Sequence, residues 1–295
     1  MMICAHCGEP LTETRQCTRC GFTALHKSGV DSHVQGTMGG ARGFKAEYFA
    51  DLFSLESGNF WFKARNQLIV NTLRRHCGGL NSFLEIGCGT GFVLSGIMQQ
   101  FPKAKIVGSE IFTAGLEFAT ERNPGASFLQ MDARKMPYCE AFDVIGAFDV
   151  LEHIEEDVEV MRQANIALRS DGYFLITVPQ HPWLWSQADS YAQHVRRYDK
   201  AELHKKLAST GFEIIRSTSF VSTLLPAMAA SRLMNRRASE KPYDALAEFN
   251  IPAWLNNLLW RALSLEVSLV DFGLNLPIGG SRMVLAKKTQ KLSRH

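Results

Sequence analysis

From residue 82 onward, short apolar runs alternate with stretches of helical periodicity. Strands are predicted at Phe83–Ile86, Lys105–Gly108, Ser127–Met131, Phe142–Phe148 and Tyr173–Val178. Helices are predicted between them, at Phe92–Gln100, Thr113–Arg122, Glu156–Arg169 and Lys200–Thr210. This alternation implies an α/β fold, a doubly wound parallel sheet covered on both faces. Ligands of such sheets bind beyond the carboxyl ends of the strands, where the strand order reverses. Two more strands, Phe212–Ser219 and Ser281–Lys287, complete a set of seven.

Between these last two strands lies a helical insertion, residues 220–280. In its second half Asn257, Arg261, Ser264, Ser268 and Asp271 form a polar stripe. Leu258, Ala262, Leu265, Leu269 and Phe272 form an apolar stripe beside it, which predicts a face turned to the core. Glu266 projects into that apolar face and needs a partner, an arginine such as Arg232 or Arg282, or else a substrate. Upstream of the sheet, Lys45 to Cys77 reads as helix. It carries Tyr48, Phe49, Phe53, Phe60, Trp61 and Phe62, enough aromatic surface for a core or a cap over a pocket.

The first 27 residues have another character. Cys4-Ala-His-Cys7 and Cys17-Thr-Arg-Cys20 are each followed by glycine, the pattern of two knuckles that put four thiolates around one structural Zn²⁺. A segment this small has no core of its own, so a metal is its natural staple. It resembles a zinc ribbon, residues 1–27. Residues 28–44, with Gly36, Gly39, Gly40 and Gly43, read as a flexible linker, and residues 45–295 as the main domain.

Composition narrows the function. The 295 residues are 46% hydrophobic and 21% charged, with a formal net charge of +3. Four zinc-bound thiolates would take that to about +1, which leaves no basic field for nucleic acid. Lys287, Lys288, Lys291 and Arg294 read as a solvated tail. No apolar stretch is expected to act as a signal peptide or to span a membrane, so a cytoplasmic protein is expected. Cys77 and Cys139 read as small buried hydrophobes.

The most informative segment is Phe83-Leu84-Glu85-Ile86-Gly87-Cys88-Gly89-Thr90-Gly91. Its glycines permit a tight turn from strand to helix and let a ligand press against backbone. A dinucleotide loop would carry a further glycine in G-x-G-x-x-G spacing. Here G-x-G-x-G is led by an acid, Glu85, which repels a pyrophosphate and suits an ammonium. Glu110 follows the second strand, where an acid accepts ribose hydroxyls.

This combination resembles the class I S-adenosylmethionine-dependent methyltransferases, from Lys45 to Lys288. The resemblance implies a Rossmann-like seven-stranded sheet with its last strand antiparallel, and S-adenosylmethionine as methyl donor. It implies donor contacts at Glu85, Gly87, Cys88, Gly89 and Gly91, and at Glu110 with Ile111. It further implies contacts to adenine at Asp132 with Ala133, and to the methionine portion near Phe148 and Asp149. The Phe60–Arg65 segment, His194-Val195-Arg196-Arg197-Tyr198 and the turn at 276–281 resemble a bacterial subgroup linked to glycan or secondary-metabolite pathways.

Methyl transfer needs in-line alignment and, for a hydroxyl or ammonium acceptor, a base. His153, in Leu151-Glu152-His153, and His194 are the candidate bases. Arg196 and Arg197 could grip an anionic acceptor, or pin the next helix. The expected activity is methylation of oxygen or nitrogen on a small or medium-sized, partly hydrophobic molecule, with peripheral contact to a lipid-linked substrate as one form of it. One alternative is an rRNA base methyltransferase that uses the ribbon, although strand four reads Phe148-Asp149-Val150-Leu151 rather than an N-P-P-Y-like motif. Another is a non-catalytic donor-binding protein that holds a protein partner through the ribbon.

Overall fold

In a computed structural model, residues 1–27, 29–34, 47–235, 251–290 and 292 are described. The glycines assigned to the linker, residues 236–250 of the insertion, and Lys291 and Arg294 lie outside these residues.

The sheet has nine strands: β1 (Leu25–Lys27), β2 (Val30–Ser32), β3 (Ser82–Ile86), β4 (Lys105–Glu110), β5 (Ser127–Gln130), β6 (Phe142–Phe148), β7 (Leu168–Pro179), β8 (Phe212–Phe220) and β9 (Ser281–Lys288). Their order across the sheet is β1-β2-β5-β4-β3-β6-β7-β9-β8. β3 pairs in parallel with both β4 and β6, so chain order reverses about it. β9 runs antiparallel between β7 and β8. Seven strands are those the sequence predicts, including the antiparallel last one.

Two strands that the sequence does not predict join the edge of the sheet. Val30–Ser32 falls within residues assigned to a linker, yet β2 pairs in parallel with β5, and the Ser32 hydroxyl donates to Gln130 Oε1 at 2.8 Å. Three-residue strands in polar sequence carry no periodic signal. The partner of β2, almost a hundred positions downstream, draws it into the sheet, and β1 then pairs antiparallel with β2.

Helices cover both faces. α2 (Phe60–His76) and α3 (Phe92–Gln100) bury Leu68, Ile69, Leu73, Leu94 and Ile97 against one face. α5 (Asp157–Ala167) and α7 (Lys200–Ser209) bury Val160, Met161, Leu203 and Leu207 against the other. α1 (Glu47–Leu55) and α4 (Thr113–Arg122) pack together near the strand ends. The short α6 (Gln187–Tyr191) follows β7, and α8 (Leu225–Asn235) follows β8. α2 starts where the Asn59 side chain accepts from Trp61 N–H, and ends on Arg74, Arg75 and His76, which suit the negative end of the helix dipole.

The insertion helix α9 (Ala253–Asp271) overturns one expectation. It packs on α2 through Leu263, Val267 and Val270. The stripe expected to face the core lies roughly on the opposite side at 100° per residue, and Leu258, Leu265, Leu269 and Phe272 are exposed. Glu266 is buried but pairs with no arginine among the described residues. It accepts from Ser222 N–H and from the Thr223 N–H and hydroxyl, each at 3.0 Å, at the start of α8. Arg282 is held instead by Ser217, Ser219 and the Pro277 carbonyl, and the Arg232 side chain lies outside the described residues. Lys288, expected in a solvated tail, is buried and donates to the Leu168 carbonyl at 2.8 Å.

Candidate active site

A cavity of about 880 Å³ opens beyond the carboxyl ends of β3, β4, β6 and β7. The turn leaving β3 supplies its floor. Gly87 adopts φ +65°, and a β-carbon there would lie 2.6 Å from Val150 Cγ2. Gly89 adopts φ +52°, and a β-carbon there would meet only Phe49, at 3.9 Å, a side chain of the cavity wall. The first glycine serves packing, and the second keeps the backbone bare towards the cavity.

Three carboxylates stand at successive strand ends. Glu85 is buried with Oε2 unpartnered, and burial pushes its pKa well above the ordinary range, although Arg65 opposes this. Glu110 accepts from Ile111 N–H at 2.7 Å, Phe112 N–H at 3.2 Å and Gly89 N–H at 3.1 Å, tying the end of β4 to the glycine turn. Burial raises its pKa, and these backbone donors moderate the rise. Asp132 is also desolvated, but the hydrogen bonds and charge of Arg134 outweigh burial and hold it below the usual range. Ile111, Ala133, Phe148 and Asp149 line the same cavity, together with Cys88. The Cys88 thiol is buried and pushed up in pKa, so its contribution is backbone.

These residues fit a zwitterionic methyl donor. Glu85 offers a buried, orphaned carboxylate oxygen to an ammonium, Gly89 leaves room for close approach, and Glu110 keeps lone pairs for hydroxyls.

Two features of this end were not assigned a role from sequence. Arg65 of α2 pairs with Asp149, whose φ is +56°. Its signal is an arginine on the buried stripe of α2, among Phe62, Leu68 and Ile69. Glu56 accepts from Arg122 at 2.6 Å and from the Thr90 hydroxyl, which links the end of α1, the glycine turn and α4. Nothing local in the sequence marks that bond.

At the other end, the loops after β6 and β7 meet. Glu152 C=O accepts from Val195 N–H at 2.8 Å, and the His153 and His194 rings stand edge to face, 4.7 Å between centroids. His194 Nδ1 bonds Asp189 Oδ1 at 2.9 Å, which leaves Nε2 for a ligand. Asp189 is desolvated, yet His194 and Arg197 hold its pKa down to about 2. Burial, reinforced by His194, lowers His153 to about 4, and its Nδ1 has no partner.

Arg196 and Arg197, for which the sequence left anion binding and pinning of the next helix both open, are engaged by separate partners. Arg196 lies outside the cavity, pairs with Asp157 at 2.6 Å and donates to the Glu155 carbonyl. Arg197 is buried, donating to Asp189 at 2.7 Å and to the Gln180 carbonyl at 3.2 Å. Both side chains thus bond to groups of the loops around them.

Outside this cavity, Cys4, Cys7, Cys17 and Cys20 bring their sulfurs within 4.8 Å of one another. Cys4 and Cys20 are 3.6 Å apart and Cys7 and Cys17 3.4 Å, close to the roughly 3.8 Å of thiolates around one tetrahedral Zn²⁺. Such a cluster can hold that ion.

A family described as "Methyltransferase domain" matches residues 56–217. A Mycolicibacterium smegmatis protein named a probable S-adenosylmethionine-dependent methyltransferase is 26% identical over 163 residues, 54% of this chain and 62% of that protein. A malonyl-[acyl-carrier protein] O-methyltransferase of Halalkalibacterium halodurans is 30% identical over 103 residues, 32% of this chain and 38% of its own. The chain thus spans less than two thirds of either relative. Among solved structures, a methyltransferase in complex with the Haloferax volcanii Trm112 methyltransferase activator aligns with a TM-score of 0.54 at 12% identity. That alignment covers 84% of this chain and 99% of the other, and supports the fold alone. With its glycine turn, its strand-end acids and a match across more than half its length, the chain belongs to the methyltransferase domain family.

Proposed function

We propose that this protein is an S-adenosylmethionine-dependent methyltransferase that methylates an oxygen or nitrogen of a small or medium-sized, partly hydrophobic acceptor. The observation that carries the reading is the orphaned Glu85 carboxylate beside the bare Gly89 backbone, at the point where strand order reverses. Bound there, the donor supplies a methyl group on a sulfonium, a leaving group that needs little help. Glu85 pairs with its ammonium, Glu110 accepts from its ribose, and Asp132 and Ala133 face its base. Phe60, Trp61, Tyr191, Leu224 and Met228 line the cavity and exclude water from an apolar acceptor. His194, held through Nδ1 by Asp189, can take the acceptor's proton at Nε2. The four cysteines hold structural zinc.

The test is incubation with methyl-labelled S-adenosylmethionine and a cell extract. A labelled product that survives RNase supports the small-molecule reading, and one destroyed by RNase would replace it with the rRNA alternative. Failure to bind S-adenosylhomocysteine in calorimetry would overturn the donor assignment. Neither the rRNA alternative nor the non-catalytic one gains support from the likenesses above. No helix among the described residues is long and apolar enough to cross a membrane.

A further inference from the structure

We propose that Glu152, His153 and His194 bind a divalent first-row transition-metal ion at the acceptor end of the cavity. One ligand atom from each of the three lies within 4.8 Å of the others. Ligands around one such ion stand about 3 Å apart, so the side chains need close only modestly.

The strongest observation is Glu152. Its side chain is fully buried, and neither carboxylate oxygen has a hydrogen-bond partner. An isolated buried carboxylate is costly, and the nearby Arg65 and Arg197 offset its burial only in part, without a hydrogen bond to it. Arg65 is taken by Asp149, and Arg197 by Asp189 and the Gln180 carbonyl.

The histidines are arranged as ligands rather than as core. His153 Nδ1 is buried and unpartnered. His194 gives Nδ1 to Asp189, the carboxylate–histidine arrangement that orients Nε2 and strengthens it as a donor. The Val195 N–H bond to the Glu152 carbonyl locks the two loops together, so the three side chains are assembled before any ligand arrives. Two imidazoles and one carboxylate favour manganese, iron, cobalt, nickel or zinc over magnesium or calcium, which prefer oxygen alone.

Three protein ligands leave coordination positions open. The matching acceptor carries two adjacent oxygens, a hydroxyl beside a second hydroxyl or a carbonyl, on an apolar body suited to the Phe60, Trp61, Leu224 and Met228 walls. The ion acidifies the hydroxyl, whose proton leaves to water. The oxygen then forms its bond to the methyl carbon as the sulfur–methyl bond breaks, its electron pair remaining on sulfur. His194 in that case holds the ion rather than the proton. This catalytic consequence rests on the proposed methyltransferase activity, whereas the binding site does not.

The test is a Mn²⁺ titration of the full chain, its cysteines loaded with zinc, followed by electron paramagnetic resonance. Mn²⁺ is chosen because it avoids thiolates. One tightly bound Mn²⁺ per chain is expected, weakened by roughly tenfold or more in Glu152→Gln and in His153→Ala. Wild-type protein that binds no Mn²⁺, or variants that bind it as well as wild type, would overturn the site. Calorimetry with S-adenosylhomocysteine on the same samples reports the donor pocket separately. Retained donor binding without Mn²⁺ defeats this proposal while leaving the methyltransferase reading intact.

Discussion

At the scale of single residues, burial without a partner is the recurring feature of this cavity. Glu85 is such a case, and replacing it with Gln removes the charge proposed to meet the donor's ammonium. A charge-assisted hydrogen bond is worth about 1.5–3 kcal/mol, so S-adenosylhomocysteine affinity should fall by roughly tenfold or more, as calorimetry would read. His153 and Asp189 tie stability to pH. His153 titrates near 4 in the folded chain against 6.5 ordinarily, because burial disfavours its cation. Between those values the unfolded chain binds the extra proton, so stability falls as pH drops from 6.5 to 4. Asp189, near 2 against 3.8, adds a further loss as pH falls between those values. Urea midpoints measured across this range should decline with acid, and His153→Asn should flatten the upper part. The acids at the strand ends could be found in the sequence because each stands at or just past the end of an apolar run, Glu85 directly ahead of the glycine turn. Arg65 could not be given its partner, because its bond to Asp149 joins segments whose proximity only the fold creates.

At the scale of elements, the turn between β3 and α3 separates two uses of glycine. Gly87→Ala forces a methyl group into Val150 at a positive φ, and should cost about 1–3 kcal/mol in urea unfolding. Gly89→Ala has space in the free protein and should cost about 1–2 kcal/mol for its positive φ, but its methyl group points to the cavity wall at Phe49, so donor affinity should drop more than stability. Helix α9 marks the limit of periodicity as a guide. Its amphipathic pattern is plain in the sequence, yet Phe272 is 86% exposed and Leu265 63%. The face that α2 accepts is the one with Leu263, Val267 and Val270. The strands of the main sheet were legible because each is apolar over several residues, and β1 and β2 were not because neither is.

At the scale of the whole molecule, the cysteine segment and the donor site are one continuous structure. Ile3 N–H donates to the Pro137 carbonyl at 2.9 Å, Met1 and Cys139 exchange backbone bonds, and His33 N–H donates to the Gln130 carbonyl at 2.9 Å. The stretch they brace begins at Asp132 and Ala133. If the four cysteines hold zinc as proposed, stripping it with a chelator should therefore loosen residues 131–139 in hydrogen exchange and weaken S-adenosylhomocysteine binding several-fold; unchanged protection and affinity would disconnect the two. The added strands have one more effect. By covering the flank of β5, they leave a border only three residues long on that side, too short to template a neighbouring molecule. A shortened version starting at residue 47 would bare that flank, and its failure in the test tube would be clumping rather than lost chemistry.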